Sequence, residues 1–130
     1  MRILLDTHVF LWMQTAPEQF SDQALEILEN AGHELLLSAA SSWEIAIKYG
    51  LGRLPLPSDP AEYVPNRMIA SNVSALDVLH RHALGVARLA AHHRDPFDRL
   101  LVAQAEAESV PIMTADPAFA PYDVDVIPAR

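Results

Sequence analysis

The sequence predicts an α/β fold with a mainly parallel sheet and helices on both faces. Two observations carry this. Segments of strand character alternate with segments of helix character along the chain. The strand segments also read as continuous apolar runs, such as Ile3-Leu4-Leu5 and Leu35-Leu36-Leu37. Strands covered on both faces read that way, whereas half-exposed strands alternate. In such sheets ligands gather beyond the carboxyl ends of the strands, where strand order reverses. The first run ends in Asp6, so an acid stands at that place only six residues into the chain.

The elements follow in order. Arg2 to Leu5 is a short strand, and residues 7–14 look helical. Ser21 caps a helix carrying Ala24, Leu25, Leu28 and Ala31, which Gly32 closes. Glu34 to Ser38 is the second strand. A helix runs from about Ser42 to Tyr49 and stops at Gly50. The proline-rich stretch Leu54 to Pro65 reads as a surface connection, with a short helix near Ala61 to Ala70. Val73 to Val78 is a weaker third strand. Residues 80–91 are helical, with Leu84, Ala87 and Ala91 on one face. Residues 96–108 form the clearest helix, and Val110 to Thr114 is the fourth strand. Val124 and Val126 alternate with Asp123 and Asp125, as in a half-exposed edge strand.

The chain of 130 residues suits one domain over 1–130 with one core, and 51% hydrophobic residues exclude a disordered chain. There is no cysteine, so disulfides and thiolate metal sites are excluded. No apolar run is long enough to span a bilayer, and no signal-peptide pattern opens the sequence, so a cytoplasmic protein with no membrane partner is expected. The formal charge is -8 and Lys48 is the only lysine. A domain that binds nucleic acid through a broad basic face shows the opposite balance. If the partner is a polyanion, a bound divalent cation must invert the local field.

Three more acids occupy places like that of Asp6. Glu44 follows strand two, in "SAASSWEIAIK". Asp98 lies in the first turn of the long helix, in "HRDPFDRLLVAQA", three residues after Asp95. Asp116 follows strand four, in "MTAD". Each alone has a structural explanation. Ser41-x-x-Glu44 matches a capping box. Asp95-Pro96 and Asp116-Pro117 match an N-cap followed by proline at the first helical position. Glu44 and Lys48 are an i,i+4 pair. As a set they point elsewhere. Asp98 shares a helix face with Leu101, Val102 and Ala105, so it points towards the sheet. Several carboxylates converging on one place repel one another, and oxygen-rich sites of that kind suit hard cations such as magnesium or manganese.

The stretches "LLDTHVFLW", "LSAASSWEIAIKYGLGRL", "HHRDPFDRLLVAQA" and "IMTAD" resemble, in that order, the PIN-domain family, and within it the VapC-type toxins of bacterial toxin–antitoxin pairs. The resemblance implies a three-layer α/β/α sandwich whose five-stranded sheet has the order 3-2-1-4-5. It implies a metal-dependent endoribonuclease acting on RNA with Mg2+ or Mn2+, a VapB-type antitoxin as partner, and a homodimer. Asp6, Asp98 and Asp116 fall on positions that bind metal, and Glu44 on one that acts through water or as general base. Thr7 and Thr114 fall on positions whose hydroxyls support the site. Asp95 reads mainly as a cap, with a supporting role as the alternative.

Other residues carry weaker signals. Lys48, Arg53, Arg94 and Arg99 lie near the site segments and are candidate phosphate contacts, with surface solvation as the competing explanation. His8 is expected to pack or face solvent. Trp12, Trp43 and Phe97 are expected in the core or at a subunit interface, with Trp12 and Phe10 contributing to the dimer. A receiver domain would need a lysine beyond the last strand, and a dehalogenase-type phosphatase would need an acid where His8 stands. The remaining alternative is a PIN-fold module that binds RNA or protein without catalysis.

Overall fold

A computed structural model describes residues 1–92 and 95–130. Among them, five strands form one sheet in the order β3-β2-β1-β4-β5. They are β1 (Arg2–Leu5), β2 (Glu34–Ser38), β3 (Val73–Leu76), β4 (Ile112–Thr114) and β5 (Val126–Pro128), and every pairing is parallel. Six α-helices connect them: α1 (Thr7–Thr15), α2 (Asp22–Glu29), α3 (Ala39–Gly50), α4 (Pro60–Ala70), α5 (His80–Gly85) and α6 (Pro96–Glu108). This is the α/β/α arrangement and the strand order that the resemblance implies.

The apolar strands are continuous because alternate residues serve two cores. Ile3 and Leu5 pack with Val9 and Phe10 of α1, Ala24 of α2, and Tyr63 and Val64 of α4. Leu4 packs on the opposite face with Leu101, Val102 and Ala105 of α6. The register Leu4↔Ile112 and Leu5↔Met113 joins β1 to β4, while Ile3↔Leu35 and Leu4↔Leu36 join it to β2. Chain order therefore reverses between β1 and β4, and Asp6 emerges at that seam.

Several boundaries differ from expectation, each for a local reason. The helix expected from Ser42 begins at Ala39. Ser38, the last residue of β2, accepts a hydrogen bond from the Ala40 amide at 3.0 Å and caps it. Strand runs into helix without a loop, so Ser41 lies inside α3 and the Ser41-x-x-Glu44 capping box does not form. Helix α2 ends at Glu29, short of Ala31 and Gly32, because Asn30 turns the chain and its side chain accepts from the Gly32 amide at 2.8 Å. The helix expected over 80–91 breaks after Gly85 into a 3-10 turn at Val86–Arg88, and Leu84 is 72% exposed. His82 takes the buried position instead. Pro65 lies inside α4, so the proline-rich connection ends at Asp59, whose side chain caps that helix. The edge strand begins at Val126, after the alternating acids.

One buried polar link joins the helices that carry two of the candidate acids. Ser38 Oγ donates to Gln104 Oε1 of α6 at 2.5 Å, and Gln104 Nε2 donates to the Asp77 carbonyl at 3.2 Å. Both side chains are fully buried. Gln104→Leu removes both bonds and strands their partners, so it is expected to lower unfolding free energy by about 1–3 kcal/mol, read from the urea midpoint.

Candidate active site

Beyond the carboxyl ends of β1, β2 and β4 lies a cavity of about 360 Å3. Asp6, Glu44, Asp95, Asp98 and Asp116 line it, with Lys48, Arg53 and His8 among the other lining residues. Five carboxylates from four chain segments thus share one space.

Asp6 is the N-cap of α1 and a wall of this cavity at once. Its Oδ1 accepts from the Thr7 amide at 2.8 Å, and its Oδ2 accepts from the Thr114 hydroxyl at 2.7 Å. The Thr114 contact follows from the register, since Asp6 and Thr114 are the residues after the pair Leu5↔Met113. Thr114 Oγ1 also accepts from the Asp116 amide at 2.9 Å, and Asp116 Oδ1 accepts from Ala118 at 2.9 Å. The Thr7 hydroxyl donates to Ser41 Oγ at 2.8 Å, tying α1 to α3. Ser41 is therefore a supporting residue hidden behind its apparent capping role.

Glu44 lies in the second turn of α3, 6% exposed, and Lys48 Nζ donates to its Oε2 at 2.7 Å. This pair raises the Lys48 pKa, first through the hydrogen bond to Glu44. Asp95 caps α6, with its Oδ1 accepting from Phe97 at 2.8 Å and from Asp98 at 3.3 Å. It is a cap and a lining residue together.

The electrostatics are those of crowded carboxylates. Burial pushes the Asp98 carboxyl up to about 8, and the charges of Asp6, Asp95, Glu44 and Asp116 push it the same way. Burial raises Asp6 as well, against the lowering effect of the Thr114 hydrogen bond. The carboxylates outnumber the Lys48 and Arg53 cations in the cavity lining, and the donor set is oxygen, which suits a hard divalent cation. Among the described residues, no group of three His, Cys, Asp or Glu side chains is close enough to form a finished cage. The carboxylates surround a volume instead of closing on a point.

The cations divide. Lys48 and Arg53 line the cavity. Arg99 does not; its guanidinium donates to the carbonyls of Val86 at 3.2 Å and Ala90 at 3.1 Å and ties α6 to the 3-10 turn. Arg94 lies outside the described residues. The aromatic expectations also divide. Phe10 is wholly buried in this chain's own core, so it offers no surface to a dimer. Trp43 is 61% exposed and packs edge-on against Phe97 at 5.1 Å, outside the core. Trp12 is half-buried against Phe20 and under the Arg130 guanidinium. His8, expected to pack or face solvent, lines the cavity, 3.3 Å from Asp6. Its place two residues after Asp6 was visible in sequence; its direction was not.

Comparison with known proteins agrees with this geometry. The family model described as PIN domain matches residues 3–124. Ribonuclease VapC16 of Mycobacterium tuberculosis is 52% identical over 56 residues, an alignment covering 43% of this chain and 40% of that protein. The chain thus spans less than half the length of this curated relative. Among solved structures, VapBC2 from Rickettsia felis, bound to a DNA fragment from its promoter, is similar at a TM-score of 0.73 and 14% identity, covering 100% of each chain. VapBC-5 from Mycobacterium tuberculosis is similar at 0.62 and 23% identity, covering 99% of this chain and 98% of that one. At such identities the structural likeness speaks for the fold alone. The extent of the family match, on a sheet ordered β3-β2-β1-β4-β5, places the chain in the PIN domain family.

Proposed function

We propose that this chain is a metal-dependent endoribonuclease, the toxin of a VapBC-type toxin–antitoxin pair, working with Mg2+ or Mn2+. The observation that carries the reading is the set of carboxylates of Asp6, Glu44, Asp98 and Asp116 around one cavity at the strand ends, where burial first and the neighbouring acids next push Asp98 up to about 8. The partial likeness to Ribonuclease VapC16 supports RNA as the substrate. The fold shared with VapBC assemblies supports a VapB-type antitoxin as partner. A homodimer, a single domain over the whole chain and a cytoplasmic setting complete the proposal.

In this reading Asp6, Asp98 and Asp116 hold the cation, and Thr7 and Thr114 orient the Asp6 carboxylate. A bound divalent cation neutralises charge on the phosphodiester and on the leaving oxygen. In this reading Glu44 accepts a proton from the attacking water, with Lys48 holding its Oε2. Lys48 and Arg53 contact substrate phosphates at the cavity wall. Asp95 supports Asp98 by fixing the first turn of α6.

The test incubates antitoxin-free protein with a panel of structured RNAs in Mg2+, Mn2+ or EDTA. Internal cleavage in either metal and none in EDTA is the expected result. RNA that is bound with equal strength in all three buffers and never cut would replace the nuclease with the non-catalytic binding module.

A further inference from the structure

The paired residues of β1 and β4 end at Leu5↔Met113, and the last backbone bond between the strands runs from the Asp6 amide to the Met113 carbonyl at 3.0 Å. That bond fixes the Asp6 backbone, while its carboxylate and the Asp116 segment are tied by side chains. The Thr114 hydroxyl is one such tie. Another is His8, the second residue of α1. Its Nε2 accepts a hydrogen bond from the Ala115 amide at 3.1 Å, and its Nδ1 stands 3.3 Å from Asp6 Oδ2. Ala115 lies between Thr114 and Asp116, so the imidazole spans from the first acid to the Thr114–Ala115 peptide, one residue before the last. The ring is itself anchored, edge-on against Trp12 one turn later, with centroids 4.8 Å apart.

The hydrogen-bond pattern determines the tautomer. A neutral imidazole has one N–H, and a nitrogen that accepts from an amide cannot carry it. The proton therefore sits on Nδ1, the nitrogen 3.3 Å from Asp6 Oδ2. Asp6 Oδ2 then has the Thr114 hydroxyl and the His8 ring beside it, while Oδ1 has the Thr7 amide. Carboxylate orientation by such neighbours changes metal affinity by about 10–100-fold in metal sites generally.

We propose that His8 is a positioning residue, which bridges the Asp6 carboxylate to the Ala115 amide and so sets Asp6 against Asp116 for cation binding. The inference rests on the metal-nuclease reading and adds a residue to it. An imidazole that only filled space would need no acceptor aimed at an amide.

The experiment titrates Mn2+ alone into the full-length protein by calorimetry, for wild type, His8→Ala, His8→Gln and His8→Phe. Melting curves in EDTA check that each variant is folded. Ala is expected to weaken Mn2+ binding about 10–100-fold. Gln, whose amide oxygen reaches the Nε2 position, is expected to recover part of that loss, and Phe, which keeps only the packing on Trp12, none. With RNA the loss should appear in kcat and leave KM within about twofold. Nitrogen NMR of the metal-free protein should show His8 in its Nδ1–H form, assigned by the signal missing from the Gln variant. Recovery by Phe equal to that by Gln, wild-type Mn2+ affinity in Ala, or an Nε2–H form would each overturn the positioning role while leaving the nuclease reading intact. A wild-type protein that binds no Mn2+ would overturn both.

Discussion

Asp98→Asn is expected to abolish metal-dependent RNA cleavage while making the EDTA-treated protein more stable at pH 8. Two features of one side chain cause both effects. As a proposed cation ligand, Asp98 contributes to transition-state charge stabilisation of several kcal/mol, so kcat should fall roughly 10²–10³-fold or more. In the metal-free protein the same carboxyl is pushed up to about 8 by burial and by Asp6, Asp95, Glu44 and Asp116. Forcing it to ionise there costs folding free energy. Solvent at the half-buried carboxyl screens the cost, so a gain of about 1–3 kcal/mol is expected, or roughly 4–11 °C in melting temperature. Active sites commonly trade stability for function in this way. Retained cleavage would remove Asp98 from the site. Lost cleavage with an unchanged melting temperature would mean that neither burial nor the neighbouring acids raise the Asp98 carboxyl in the free protein.

The second large effect concerns pH and metal together. Asp98 holds its proton up to about 8 when folded and releases it near 3.8 when unfolded. Between those values the folded state binds the extra proton, so metal-free stability falls as pH rises from about 4 to about 8. Asp6 is raised and acts in the same direction. A divalent cation must displace these protons, so its affinity should climb with pH, by up to about tenfold per pH unit, and level off beyond pH 8. Urea midpoints measured from pH 5 to pH 8 should decline in EDTA and lose that decline in excess Mg2+. A flat profile in EDTA would contradict the crowded-carboxylate picture. Glu108 acts at the other end of the range. His82, then Arg81, hold its carboxyl below 4.5, so its contribution is present above that value and is lost only on further acidification.

How far the site was legible depends on the residue. Asp6, Glu44, Asp98 and Asp116 were visible because each follows an apolar run or opens a helix, and a parallel sheet gathers such positions at one end. Asp95 was equally readable as a cap, because Asp-Pro before an amphipathic run is a local signal. Ser41 reads as a cap because Ser-x-x-Glu is also a local signal, and nothing in the sequence tells that Ser38 serves first. The place of His8 is not legible in sequence, because its partner amide lies 107 residues away. Arg99 reads as a phosphate contact because it sits beside Asp98 in sequence; that its guanidinium donates to the Val86 and Ala90 carbonyls is decided by how the preceding segment packs on α6.

The sequence by itself determined the alternation of strands and helices, the two-sided burial of β1 and β2, the capped start of α6 and the identity of the four acids. All of these depend on periodicity and capping within a few residues, where side-chain spacing dictates the local structure. The register of β1 against β4, the choice of Ser38 over Ser41, the direction of His8 and the exposure of Trp43 were decided only by the tertiary structure. Each depends on which distant segment packs alongside, and a helix face or a rotamer has no fixed meaning until that neighbour is in place.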